Sequence, residues 1–159
     1  MRLVVSIPEQ TLTVFNAQND VLAHYSISTA ANGPGCKKDS GCTPIGKHII
    51  RAKIGEGAPL GSVFVGRRPT GEIFNTALMT EFPNRDWILT RILWLSGAEI
   101  GVNRLGNVDT MRRYIYIHGT PDSNRMGVIG SHGCVRMRNT DIIELFEMVD
   151  VGVEVDLQP

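Results

Sequence analysis

The chain has 159 residues, a length that suits one domain burying roughly 68–70% of its unfolded surface. Its 16 basic and 16 acidic side chains cancel, which argues against a nucleic-acid partner or an anionic membrane surface, since both favour a strongly basic face. No apolar run is long enough to span a bilayer, so no membrane insertion is expected.

The opening stretch, Met1 to Gln10, carries one positive charge and a very short apolar run. It lacks the apolar stretch of about 7–15 residues and the small-residue cleavage site of a secretory leader. The expected location is therefore the cytoplasm; a trimmed piece of a periplasmic protein would read the same way. Three cysteines, an odd number, fit a reducing compartment. Cys36 and Cys42 sit in a Gly/Lys/Ser-rich stretch without Cys-x-x-Cys spacing, and read as free loop thiols rather than a disulfide or metal ligands.

In chain order, Leu3 to Ile7, Leu12 to Phe15 and Val21 to Ser28 read as strands of a β-meander, parted by Pro8-Glu9-Gln10 and the polar turn Asn16 to Asp20. Ala31 to Pro44 is a loop whose length suggests function. His48 to Ile54 and Ser62 to Val65 are strands, the second followed by a turn over Arg67 to Gly71. Asn75 to Glu81 suits one or two helical turns before Pro83. Trp87 to Leu95 reads as a buried strand, Gly97 to Asp109 as loop, and Arg113 to His118 as another strand.

One segment is plainly helical: Ile142, Leu145, Phe146 and Val149 fall at i, i+3, i+4, i+7, with Asp141, Glu144 and Glu147 off the stripe. Asn139 or Thr140 is positioned to cap it. Val153 to Leu157 closes the list of strands. The pattern predicts a mostly β single domain over residues 1–159 with one principal helix.

The chemistry concentrates in Tyr114-Ile115-Tyr116-Ile117-His118-Gly119-Thr120 and Ser131-His132-Gly133-Cys134-Val135-Arg136-Met137. A strand that delivers an imidazole near a cysteine supplies the minimum for nucleophilic acyl transfer: a thiolate attacks, and a histidine removes and returns the proton. Most free cysteines are simply small buried apolar residues. Cys134, however, follows a glycine and is surrounded by a hydroxyl, an imidazole and a guanidinium.

These two motifs resemble the signature of the L,D-transpeptidase (YkuD-type) catalytic domain. Tyr25 to Thr29, Gly41-Cys42-Thr43-Pro44-Ile45-Gly46 and Arg136 to Asn139 resemble further landmarks of that family in the expected order. The resemblance implies a β-sandwich or barrel-like core with a cleft at strand ends, no cofactor, and a peptidoglycan stem tetrapeptide as substrate partner. It implies Cys134 as nucleophile and His118 as base, held as a thiolate–imidazolium pair with the thiol pKa well below about 8.5. His132 would wall the site or offer a hydrogen bond, with a second base as the lesser reading, and Ser131 would anchor its loop, while Gly133 and Cys134 N–H groups would receive the oxyanion. Gly119 and Thr120 would bind substrate with Arg136, whose planar fork suits a substrate carboxylate and equally suits a solvated or structural salt bridge. Some relatives carry Asn where this chain has Arg136. No carboxylate is placed to orient His118: Asp122 is near in sequence, and in the family a backbone carbonyl often serves.

The implied reaction cleaves the bond between the L-centre of the diamino acid and the terminal D-Ala. Water as acceptor gives an L,D-carboxypeptidase suited to murein recycling, the outcome a cytoplasmic setting favours. An amine acceptor gives an L,D-transpeptidase crosslink or D-amino-acid exchange. Two other readings compete: zinc held by His118, His132 and Cys134, disfavoured by their spacing, and a non-catalytic peptidoglycan-binding module.

Overall fold

A computed structural model describes residues 1–159, and its architecture follows from the alternation of apolar side chains. Strands β1 (Arg2–Ser6) and β2 (Thr11–Phe15) both bury every second residue, which commits one face of each to a core. With β3 (Val21–Ser26) they form an antiparallel meander in the order β3-β2-β1. The meander joins the remaining strands through β10 (Glu154–Gln158), which runs parallel to β1 and antiparallel to β4 (Gly46–Ile54).

Strand β7 (Ile88–Gly97) is the hub. Along one edge it pairs with β4 through Ile92 to Gly97 and with β5 (Ser62–Val65) through Ile88 and Leu89. Along the other it pairs with β8 (Tyr116–Gly119), which in turn holds β9 (Val135–Met137). The ten strands curl around one large core that includes Leu3, Leu12, Ile27, Leu93, Ile117, Val135 and Met137. Helix α2 (Asn139–Met148) closes it with Ile142, Leu145, Phe146 and the following Val149, all essentially buried. Each such side chain removed from water contributes about 1.5–3 kcal/mol before entropic costs. Tyr25 ties β3 to α2 by donating its hydroxyl to Glu144 at 2.6 Å.

The mostly β architecture with one principal helix matches the sequence reading, and three local expectations change. Of the stretch Arg67 to Gly71, only Arg67 belongs to a turn. Gly66 and Arg67, both left-handed, make a two-residue hairpin, and β6 (Arg68–Ile73) begins directly after it. The strand expected from Arg113 starts only at Tyr116, because Met111–Arg113 form a single 3₁₀ turn that ends on left-handed Tyr114. The side chains of Asn139 and Thr140 do not cap α2; its N-cap is Arg138, which makes no side-chain cap bond. The Asn139 amide is engaged elsewhere: it donates to the Thr120 carbonyl at 3.0 Å and accepts from the Thr90 hydroxyl at 2.6 Å. The short helix α1 (Thr76–Glu81) does have its Asn75 cap, which accepts from Leu78 N–H at 2.8 Å.

Two features inside the sheet set where β8 lies. Thr90 adopts φ 74 near the start of β7, an unusual conformation for a β-branched residue, and the ladder to β8 shifts between Leu89 and Ile92. Gly119 sits opposite this bulge. A Cβ there would lie 2.6 Å from the Leu89 carbonyl oxygen and closer still to Asn139 Oδ1, so only glycine fits.

A buried histidine outside the motifs links β4 to the segment after β7. His48 donates from Nδ1 to the Gly46 carbonyl at 2.9 Å, so Nε2 accepts the Thr110 hydroxyl at 2.8 Å. Burial lowers its pKa, although the Gly46 carbonyl and the carboxylates Glu99 and Asp156 pull the other way. The folded pKa lies below the unfolded one, so the unfolded chain binds the extra proton. Stability contributed by neutral His48 is then complete above about pH 6.5 and declines as pH falls from there toward the folded pKa. Urea titrations from about pH 7.5 to 5 should show a shallower loss of stability for His48→Gln than for the wild type; parallel slopes would contradict this assignment.

Candidate active site

The site is built on the parallel pairing of β8 with β9, in the register Ile117↔Val135, His118↔Arg136, Gly119↔Met137. Alternation sorts the pair into two faces. Ile117, Val135 and Met137 enter the large core, leaving Tyr116, His118 and Arg136 on the other. One step back in register sets Cys134 beside Tyr116, whose N–H donates to Cys134 Sγ at 3.3 Å. The thiol itself points at the Tyr114 carbonyl, 3.5 Å away. A donor and an acceptor from one bend of backbone therefore cradle the sulfur, and left-handed Tyr114 makes that bend.

His118 is buried at the end of β8, and its Nδ1 contacts the Gly119 carbonyl. A carbonyl only accepts, so Nδ1 carries the proton and Nε2 remains free to act as a base. The orienting partner is thus a backbone oxygen. Asp122 faces a different cleft, with Leu60, Ile73 and Asn75.

The electrostatics correct the expectation of a resting ion pair. Burial pushes the Cys134 thiol up to about 12, outweighing the Tyr116 N–H and the nearby Arg136 and Arg113 cations, while Asp86 adds to the rise. Burial also lowers the His118 pKa, against the pull of the Gly119 carbonyl and Asp86. Both groups are therefore neutral at rest. A thiolate and an imidazolium lose more hydration in this enclosure than fixed dipoles return.

The turn before the cysteine is pinned from several sides. Ser131 Oγ donates to the Cys134 carbonyl at 2.6 Å and accepts from Gly133 N–H at 3.2 Å. That second bond corrects the expectation for Gly133, whose N–H is already engaged by Ser131. The Cys134 N–H donates to no protein acceptor. Gly133 has φ 138, and a Cβ would meet Ile115 Cδ1 at 3.2 Å and the Cys42 carbonyl at 3.3 Å. The segment Ile27 to Ala31 lines the outside: Ser28 exchanges backbone bonds with Arg136, and Thr29 O accepts from Gly130 and Ser131 N–H.

His132 stands at the mouth with 76% of its side chain exposed and its Nδ1 3.8 Å from Asp86 Oδ1. Arg136 lies beneath it, 3.6 Å from the same carboxylate oxygen and donating to the Gly130 carbonyl at 3.1 Å. Two clefts meet at His132. One of about 390 Å³ includes Asp86, Trp87, Asn124 and Arg136; the other, about 490 Å³, includes Lys38, Arg112, Arg113 and Tyr114.

Gly119 and Thr120 do not belong to this surface. Both are buried, and Thr120 bonds through its hydroxyl to Asn124 at 2.7 Å and through its carbonyl to Asn139. The expectation that they contact substrate is corrected: they lock β8 to α2. Three residues outside the sequence expectation join the site. Asp86 is the carboxylate between His132 and Arg136. Half-buried Arg113 holds the 31–44 loop by donating to the carbonyls of Gly35 and Cys42, at 3.1 and 2.6 Å. Thr43 donates its hydroxyl to the Gly133 carbonyl at 2.8 Å. Only Thr43 lay in a stretch the sequence singled out; nothing in sequence order ties Asp86 to a cysteine so far along the chain. Cys36 and Cys42 are free thiols.

Comparison with known proteins bears on the family and the fold. Residues 1–157 match the YkuD family, described as the L,D-transpeptidase catalytic domain. The chain is 28% identical over 82 residues to a protein named L,D-transpeptidase YkuD from Bacillus licheniformis, covering 52% of this chain and 48% of that protein. A stretch of 43 residues is 54% identical to L,D-transpeptidase YbiS of Escherichia coli K12, covering 27% of this chain and 14% of the other. The shared part is thus about half or less of either curated relative. Among solved structures, an L,D-transpeptidase from Mycobacterium smegmatis superposes with a TM-score of 0.57 at 18% identity, over 99% of this chain and 58% of that one. The L,D-transpeptidase LdtMt1 in complex with imipenem gives 0.56 at 21% identity, over 98% and 57%. At such identities the structures share the fold. The match over residues 1–157 places this chain in the L,D-transpeptidase catalytic domain family.

Proposed function

We propose that the chain is a cysteine acyltransferase that cleaves peptidoglycan stem tetrapeptides between the L-centre of the diamino acid and the terminal D-Ala, mainly by hydrolysis. The observation that carries the reading is the cradle of Cys134 between Tyr114 O and Tyr116 N–H, on the strand face of His118 with its Nε2 free. The substrate class follows from family membership.

In this mechanism the resting pair is neutral, and charge separates only as the bond forms. The Cys134 proton passes to His118 Nε2 while Sγ attacks the carbonyl carbon, giving a tetrahedral oxyanion. Imidazolium is favoured by Asp86, and negative charge at sulfur by Tyr116 N–H, Arg136 and Arg113. Collapse breaks the C–N bond as His118 returns its proton to the departing D-Ala nitrogen. Water then gives a proton to His118 and attacks the thioester, releasing the tripeptide acid and regenerating the thiol. An open mouth at exposed His132 supports water as the acceptor. A second reading, transfer to an amine of another stem or to a free D-amino acid, is favoured by the second cleft meeting the first at His132.

Soluble tetrapeptide should yield tripeptide and D-Ala by mass spectrometry, and adding excess D-amino acid should leave hydrolysis dominant; mostly exchanged or dimeric product would establish the amine route instead. Cys134→Ala should abolish turnover and His118→Ala should lower it by about 10²–10⁴-fold, whereas Cys36→Ser and Cys42→Ser should change it little. Imipenem supplies an independent acylation probe, with adduct expected at Cys134 alone. Finally, a neutral pair predicts that iodoacetamide labelling of Cys134 climbs about tenfold per pH unit between about pH 7 and 10, without the low-pH plateau of a preformed thiolate.

A further inference from the structure

The geometry points to Thr43 as the residue that aims the oxyanion donor of this site, by fixing the peptide plane between Gly133 and Cys134. The inference rests on the acyl-transfer reading and names how one part of that reaction is held ready.

Thr43 is fully buried, and its single hydroxyl bridges two segments. It accepts Ala30 N–H at 3.0 Å and donates to the Gly133 carbonyl at 2.8 Å. Its own backbone is fixed on both sides, N–H to Gly33 O at 3.0 Å and C=O from Gly35 N–H at 2.8 Å. Ala30 is in turn beside Ser131, through the bond from Ala31 N–H to Ser131 O at 2.9 Å. The hydroxyl is therefore a fixed point, with its one proton committed to Gly133.

A trans peptide is planar, with C=O and the next N–H pointing in opposite directions. Holding the Gly133 carbonyl toward Thr43 turns the Cys134 N–H away from it. That N–H has no protein acceptor, whereas the neighbouring Gly133 N–H is taken by Ser131. The N–H of the attacking residue lies next to the carbonyl it attacks, the place where an oxyanion develops. Donation into the Gly133 carbonyl also polarises the amide, making its N–H a better donor. Glycine at φ 138 opposes rotation of this peptide less than a residue with a Cβ would, and the side-chain hydrogen bond to the Gly133 carbonyl comes from Thr43.

The experiment separates oxyanion support from thiol reactivity. Alkylation by iodoacetamide forms no oxyanion, but peptide cleavage does. Thr43→Val should lower kcat for tetrapeptide cleavage by about 10–100-fold, less than the loss of a direct donor, with KM and the rate and pH profile of iodoacetamide labelling nearly unchanged. Thr43→Ser, which keeps the hydroxyl, should restore most of kcat. Equal losses in cleavage and labelling would overturn the proposal, as would wild-type kcat in folded Thr43→Val or a defect in Thr43→Ser as large as in Thr43→Val. A readout on the wild-type protein stands even if Thr43→Val does not fold. When N-acetyl-L-lysine aldehyde adds to the thiol, S–C forms and the thiol proton ends on oxygen; the ¹⁵N-labelled Cys134 amide proton should then move downfield. An unmoved resonance in that adduct would overturn the proposal. If the wild type cleaves no tetrapeptide, it is the acyl-transfer reading that fails, whatever Thr43 does.

Discussion

The pairing of Tyr116–Gly119 with Val135–Met137 is short, yet the rest of the site depends on it. Its parallel sense and its register place His118 and Cys134 on one face while Ile117, Val135 and Met137 bind the same two strands to the core. A slip of one residue would exchange the faces, turning the chemistry into the large core and the apolar set out of it. The register is held from behind by the Thr90 bulge, by the contact of Gly119 with Leu89 and Asn139, and by the bonds of Asn139 to Thr120 and Thr90. Structural demands on Gly119 and Asn139 are thus demands of the site at one remove.

Burial gives this site its character. The same enclosure that orders the imidazole makes charge costly, so neither the thiol nor the histidine ionises at rest. The protein supplies instead a set of oriented groups around them: Tyr116 N–H, Tyr114 O and Gly119 O from the backbone, and Asp86, Arg113 and Arg136 from side chains. Preoriented dipoles of this kind favour a charge-separated state only when the reaction creates it.

How much of this was legible in the sequence depended on how local each determinant is. The α2 stripe of Ile142, Leu145, Phe146 and Val149, and the alternation in β1 and β2, are periodic signals that the fold has no reason to override. Local chemistry misled where tertiary contacts took a side chain over. Asn139 is a good cap by type, but a buried network uses its amide. Arg67 to Gly71 has turn composition, yet the left-handed pair at Gly66 and Arg67 turns the chain two residues sooner. At the site, the motif exposed Cys134 and His118 as candidates, but their charge state could not be read, because it depends on how deeply the fold encloses them. Asp86 reaches the site from a separate loop, and no spacing rule predicts such a meeting.

The place of β10 in the sheet has a consequence for how the molecule is assembled. The β1 edge of the meander joins the rest of the ladder through β10, since the order runs β3-β2-β1-β10-β4. During synthesis the first strands appear long before the partner that will join them, and they wait with the β1 edge unpaired. Chain closure between residues more than a hundred positions apart is slow, and an open strand edge invites pairing with another chain. The sheet therefore becomes continuous only when the tenth strand slides between the first and the fourth.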